Sequence, residues 1–180
     1  MPTPIAVFIG APSSGKSKIG KRVARLLGVP FIDTDKRITA LHGEITEIFA
    51  THGELHFREL EQRVVAEALT EEAIVSVGGG AVIHELTQAA LRDQRVVLLT
   101  TTADAVAARI TSGKRPLLKD GGVDAWIRLV EARRPIYERL AVRTWDTSAR
   151  PIDTIAAEIA DWLAAELPQL THTHRKDTEK

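Results

Sequence analysis

The run Gly10-Ala11-Pro12-Ser13-Ser14-Gly15-Lys16-Ser17 constrains this chain more than any other stretch. It follows an apolar run from Ile5 to Ile9 that reads as a buried strand. It opens a helical pattern carried by Ile19, Val23, Leu26 and Leu27. Between a strand and a helix, G-x-x-x-x-G-K-[ST] reads as a phosphate-binding loop. The glycines let the backbone turn tightly enough for successive N–H groups to point inward, and the helix N-terminus adds the positive end of its dipole. Lys16 then reaches the β- and γ-phosphates of a nucleoside triphosphate, and the Ser17 hydroxyl ligates Mg²⁺. A plain glycine-rich turn with an exposed lysine is the alternative, but it requires neither the strand before nor the helix after.

The rest of the chain repeats that alternation. Apolar runs at 5–9, 30–33, 73–77, 95–99 and 142–146 read as strands. Helical patterns lie near 16–27, 34–41, 54–70, 103–110, 124–139 and 151–167. Strand-helix alternation predicts an α/β domain with a parallel sheet and right-handed crossovers. Ligands collect at the carboxyl ends of such strands, and the informative residues fall there. The phosphate loop follows the first strand, Asp33 and Asp35 end the second, and Gly78-Gly79-Gly80 ends the third.

At 180 residues the chain suits one domain, expected over 1–168. Its 24 basic and 24 acidic residues cancel, so no overall field favours nucleic acid or an anionic membrane. Cysteine is absent, which excludes disulfides and thiolate metal sites and suits a reducing cytoplasm. No stretch approaches the roughly 20 apolar residues of a membrane span. Met1-Pro2-Thr3-Pro4 leads straight into the first strand, so no signal peptide is expected. The segment 111–124 is punctuated by Gly113, Gly121 and Gly122 and carries Lys114, Arg115 and Lys119. It reads either as a mobile lid or as a solvated linker. The polar residues 169–180 are expected to be a disordered tail, with His172 and His174 in solvent rather than on a metal.

Three constellations bear on a second substrate. In Asp33-Thr34-Asp35 two carboxylates would project to the same side of an extended chain. One suits Mg²⁺ and the other a substrate hydroxyl, although Thr34 or Asp35 capping a helix is an equally physical reading. In Gly53-Glu54-x-x-Phe57-Arg58-x-x-Glu61, Arg58 and Glu61 share a helix face. Arg58 either forks onto a substrate carboxylate, oriented by Glu61, or makes an ordinary surface ion pair. Gly78-Gly79-Gly80 lets backbone N–H groups approach a ligand closely. The strand before it ends without the aspartate that many ATPases use for Mg²⁺, which leaves Asp33 as the candidate. Further on, Arg133-Arg134-Pro135-Ile136-Tyr137 places a proline in a helical pattern, where it is expected to break or kink the helix and aim one arginine out of the helix line; a solvated arginine pair is the equal alternative.

Together these residues resemble shikimate kinase, over Ile5 to about Leu167. The motifs are the phosphate loop, Asp33-x-Asp35, Gly53-Glu54-x-x-Phe57-Arg58-x-x-Glu61, Gly78-Gly79-Gly80, Arg115-Pro116-Leu117-Leu118 and Arg133-x-Pro135-x-Tyr137. The resemblance implies a three-layer P-loop kinase fold of the nucleoside-monophosphate-kinase type, a five-stranded parallel sheet flanked by helices. It implies transfer of the ATP γ-phosphoryl group to the 3-hydroxyl of shikimate, on the route to aromatic amino acids; nothing in the sequence demands more than a monomer, and a cytoplasmic one is expected. Carried over by motif, ATP lies on residues 10–18. Asp35 holds the shikimate hydroxyls and is the candidate base. Arg58 and Arg133 grip the carboxylate, Glu61 orients Arg58, and Gly78, Gly79 and Gly80 line the pocket. Arg115 closes from the lid, and Arg109 packs on the adenine. Two positions depart from the pattern: Ser13 stands where glycine is usual and Lys18 where threonine is. Should position 13 need a positive φ, serine costs ~1 kcal/mol or more there.

Other kinases of this fold compete, gluconate kinase above all, since gluconate is also a hydroxy acid. A nucleotide acceptor would call for arginines placed for a second phosphate. A nucleotide-dependent switch would bind ATP without acceptor-dependent turnover, and a guanine-specific one would show an N-K-x-D element, which the sequence lacks.

Overall fold

Five short strands form the middle layer, buried at its centre and more exposed along its two edges. They are β1 (Ala6–Ile9), β2 (Phe31–Asp33), β3 (Ile74–Ser76), β4 (Val96–Thr100) and β5 (Arg143–Asp146). All pair in parallel in the order β2-β3-β1-β4-β5, with Phe8 opposite Ser76 on one side and Val97 on the other. The computed structural model describes residues 3–111 and 122–167. The expected lid arginine, Arg115, most of the 111–124 segment and the 169–180 tail lie outside them.

Strand alternation assigns the two cores. Ala6 and Phe8 point to one face, where α1 (Lys16–Leu27) and α7 (Ile152–Glu166) supply Ile19, Val23, Ile155, Ile159 and Leu163. Val7 and Ile9 point to the other face, against Val65, Leu91, Tyr137 and Leu140. Those come from α3 (Ile45–Ala68), α4 (Glu85–Leu91) and α6 (Gly122–Leu140). Helices on both faces are what a parallel sheet with apolar strands requires. A third cluster, Ile38, Ile48, Phe57, Leu60 and Val64, joins α3 to α2 (Thr34–His42) beyond the β2 edge. A small fourth one packs Ala11 of the phosphate loop against Val106 of α5 (Ala103–Thr111) and Trp126 of α6.

Three local readings are corrected. α3 begins at Ile45 rather than at Glu54, and its two parts meet at Gly53, whose φ of 81° is non-helical. Glycine adopts that angle freely, so the chain turns there and resumes as helix. Asp35 does not lie on an extended chain. Asp33 ends β2 and caps α2, its Oδ1 accepting from Lys36 N at 3.3 Å, so Asp35 sits in the first helical turn. Finally, α6 runs through Pro135 without breaking. Both Pro135 and Glu131, whose carbonyl loses its helical donor, are exposed, so water can serve that carbonyl.

Candidate active site

The β1–α1 loop has the conformation of an anion nest. Gly10 has φ +143°, and a Cβ there would lie 2.3 Å from the Leu99 carbonyl oxygen. Gly15 has φ +90° and forms the N-cap of α1 without any side-chain cap. No acidic residue occupies the first turn. Gly15 brings no side chain to cap the opening turn of α1, which lies at the positive end of the helix dipole. Lys16 is buried and its Nζ donates to the carbonyls of Gly10 and Ala11 at 2.8 and 2.9 Å, across the mouth of the loop. Ser17 is half-buried and Lys18 is exposed. Ser13 has φ +67°, the left-handed conformation that glycine would take at no cost.

The carbonyl side of the loop is held from outside. Trp126 Nε1 donates to Pro12 O at 2.9 Å, Arg109 Nη1 to Ser13 O at 2.8 Å, and Thr147 Oγ1 to Ser14 O at 2.9 Å. Arg109 also donates to Thr101 Oγ1 at 3.1 Å and, through Nη2, to the carbonyl of Thr147.

Beside the loop, Gly78-Gly79-Gly80 makes a floor on which three charged side chains converge. A Cβ on Gly78 would lie 2.6 Å from both Asp35 Oδ1 and Glu61 Oε1. One on Gly80 would lie 2.4 Å from Arg58 Nη1, and one on Gly79 would press on Pro12 at 3.1 Å. Gly78 and Gly80 thus leave room for side chains from α2 and α3, and Gly79 for Pro12 of the phosphate loop. Arg58 Nη1 donates to Glu61 Oε2 at 2.5 Å, while Glu54 lies 3.5 Å from Arg58 Nε. The Arg58 guanidinium also lies over the Phe57 ring at 5.2 Å and the Phe49 ring at 5.9 Å, which narrows its freedom further. A cleft of about 390 Å³ opens next to it, lined by Arg58, Ile83, His84, Glu85 and Leu86.

The electrostatics follow from burial. Desolvation raises the Asp35 carboxyl above its ordinary 3.8, the neighbouring Asp33 raises it too, and the charges of Lys16 and Arg58 oppose the rise. Glu61 is likewise raised by burial, with Arg58 the largest opposing influence and Arg133 a further one. Arg133 is half-buried whereas Arg134 is exposed, so the structure turns the first of the pair inward. Tyr137, one turn along the same face of α6, donates from its hydroxyl to Gly79 O at 2.6 Å, and burial pushes its phenol up. The site thus gathers a carboxylate of raised pKa, a fixed arginine and a second arginine next to a phosphate loop.

Lys16, Asp35, Arg58, Glu61, Arg133 and the three glycines therefore face one region, while Arg109 is tied to backbone at the outer side of the loop. Asp33 serves α2 as its cap. Trp126, Thr147 and the contact of Tyr137 were not assigned from sequence. Tyr137 had a signal, its i+4 spacing from Arg133, but the other two act across more than 110 residues of chain and leave no local pattern. Among the described residues no group of three acidic or histidine side chains could hold a metal alone. Ser17, half-buried in the first turn of α1, offers one oxygen of the kind Mg²⁺ takes beside substrate phosphates.

The family model for shikimate kinase matches residues 12–164. A curated shikimate kinase from Corynebacterium efficiens is 40% identical over 163 residues, covering 88% of this chain and 96% of that protein. The shikimate kinase from Acinetobacter baumannii, solved in complex with shikimate, superposes with a TM-score of 0.82 at 28% identity, covering 93% of this chain and 96% of that one. A gluconokinase from Sinorhizobium meliloti shares the fold, with a TM-score of 0.62 at 24% identity over 93% of this chain and 95% of that one.

Proposed function

The chain belongs to the shikimate kinase family, and we propose that it transfers the γ-phosphoryl group of ATP to the 3-hydroxyl of shikimate by means of the residues gathered around Gly78-Gly79-Gly80. The observation that carries the residue assignment is the convergence of Asp35, Glu61 and Arg58 on that floor, within touching distance of where glycine Cβ atoms would be. Such a site has one fixed guanidinium for a carboxylate and one carboxylate for hydroxyls, as a hydroxylated ring acid requires.

ATP lies along residues 10–18, with Lys16 on the β- and γ-phosphates and Arg109 packing on the adenine by its face while its edges hold backbone. Arg58 and Arg133 take the shikimate carboxylate, Glu61 fixes Arg58, and the Gly79 N–H donates to the substrate. Asp35 accepts the proton as the 3-hydroxyl oxygen bonds to the γ-phosphorus and ADP leaves. Its raised pKa makes it a stronger base than an exposed aspartate. Positioning and charge neutralisation supply most of the acceleration in such a transfer. Arg115, outside the described residues, is assigned to the lid by resemblance alone. Ser17 and Asp33 are the oxygens that would hold Mg²⁺, the second through water because its Oδ1 also caps α2. When bound, the ion neutralises phosphate charge. A cytoplasmic monomer without nucleic-acid or membrane partners completes the reading; no helix among the described residues is long and apolar enough to span a membrane.

ADP release from MgATP with shikimate, gluconate, nucleoside monophosphates or no acceptor tests this directly. Turnover strictly dependent on shikimate is expected. Turnover with gluconate instead would overturn the assignment of Asp35, Arg58 and Arg133.

A further inference from the structure

A nest binds anions only while its N–H groups point inward, which obliges the carbonyls between them to point outward and be held there. Three consecutive carbonyls of this loop, Pro12, Ser13 and Ser14, are each held by a side-chain donor from a different part of the chain. Trp126 comes from α6, Arg109 from α5 and Thr147 from the turn after β5.

We propose that Thr147 is a positioning residue for ATP: its buried hydroxyl, bonded to Ser14 O, holds the phosphate loop in its anion-binding conformation. The hydroxyl lies 2.9 Å from Ser14 O and 3.0 Å from Thr100 O. It has one proton to donate. Thr100 O already accepts from the Thr147 amide at 2.9 Å, so the hydroxyl proton is best used on Ser14. Thr147 is itself fixed. Its carbonyl accepts from Arg109, its neighbour Ser148 accepts at Oγ from Thr102 N at 3.0 Å, and Ser148 N donates to Asp146 Oδ1 at 2.8 Å. The turn after β5 is thereby pinned to the end of β4, and through one hydroxyl that rigidity reaches the residue just before Gly15-Lys16. Thr147 is 3% exposed, so water cannot take over the bond.

This rests on the nucleotide-site reading above, and the test keeps the two apart. Thr147→Val keeps the shape and removes the donor. ATP binding, measured by equilibrium titration without acceptor, is expected to weaken by roughly tenfold. KM for ATP should rise in step while KM for shikimate stays put, and Thr147→Ser should restore both. Thr147→Ala gives the same readout should the valine variant fail to fold. Unchanged ATP affinity, with only a lower melting temperature, would overturn the proposal and make Thr147 a packing residue. Wild-type protein that binds ATP but ignores shikimate would instead overturn the functional reading, and the titration would still decide the role of Thr147.

Discussion

Arg58 donates from Nη1 to the carboxylate of Glu61 at 2.5 Å, and Glu61 is 2% exposed. The two are three residues apart on α3. An exposed pair at this spacing contributes a few tenths of a kcal/mol at most. Burial changes that, because removal of one partner leaves the other charged and unpaired in a poor solvent.

Arg58→Ala is therefore expected to do two separable things. KM for shikimate should rise by about a hundredfold or more, while nucleotide affinity is unchanged. Stability should fall by about 3 kcal/mol at neutral pH. Burial already raises the Glu61 pKa above its ordinary 4.5, and loss of Arg58 raises it further. A raised carboxyl contributes stability below its unfolded pKa and loses it as pH climbs through the folded one. The variant should accordingly recover stability, relative to wild type, as pH is lowered from 7 toward 5. Urea unfolding across that range checks the sign; a deficit that does not shrink on acidification would show that Glu61 is not the group left unpaired.

The acid limb of activity should belong to Asp35. Its pKa is raised, chiefly by burial and then by Asp33, so kcat/KM should fall on acidification from a pH above 3.8. Asp35→Asn should lower kcat by about a hundredfold or more and abolish that limb. The same substitution should stabilise the fold at neutral pH, because a carboxylate whose folded pKa is raised is costly to keep ionised there. A melting temperature higher than wild type, together with lost turnover, is the expected pair of results.

Much of this site was legible in the chain because its parts are local. The phosphate loop is one contiguous motif, and Arg58 and Glu61 announce themselves by helical spacing. What was not legible depends on backbone angles and tertiary contacts. Gly53 could be read as a helix start, but not as a φ of 81° joining two helices, so residues 45–52 were missed. Asp33-Thr34-Asp35 fits an extended chain or a helix entry equally well on paper, and the bond to Lys36 N decides for the helix. The brace of Trp126, Arg109 and Thr147 acts over 96 to 133 residues, a separation at which no sequence periodicity exists.

The floor glycines offer a substitution that should disturb binding without unfolding the protein. A methyl on Gly80 would fall 2.4 Å from Arg58 Nη1, which is the far end of a flexible side chain and can move. Gly80→Ala should therefore lower the melting temperature less than Arg58→Ala does, because the displaced guanidinium keeps its charge near Glu61. The displaced guanidinium should raise KM for shikimate by about tenfold to a hundredfold, with KM for ATP unaltered. A parallel loss for both substrates would mean that the strand end itself had shifted.

Ser13 is one of the two positions at which the family resemblance expects another residue, and its φ of +67° is a left-handed angle that strains a non-glycine residue. A left-handed non-glycine residue costs roughly 1–2 kcal/mol, while glycine costs about 0.5–1 kcal/mol in lost chain freedom. Ser13→Gly should therefore be neutral or stabilising, by up to about 1.5 kcal/mol. The Ser13 carbonyl would still accept from Arg109, since that bond uses backbone. ATP affinity should then stay within about threefold of wild type, because the nest is set by the loop's bonded carbonyls rather than by this side chain. Thermal unfolding and an ATP titration on the one variant test both statements. A clear loss of stability would mean that the Ser13 side chain makes a compensating interaction, and a large gain in ATP affinity would mean that strain at this position weakens the native loop.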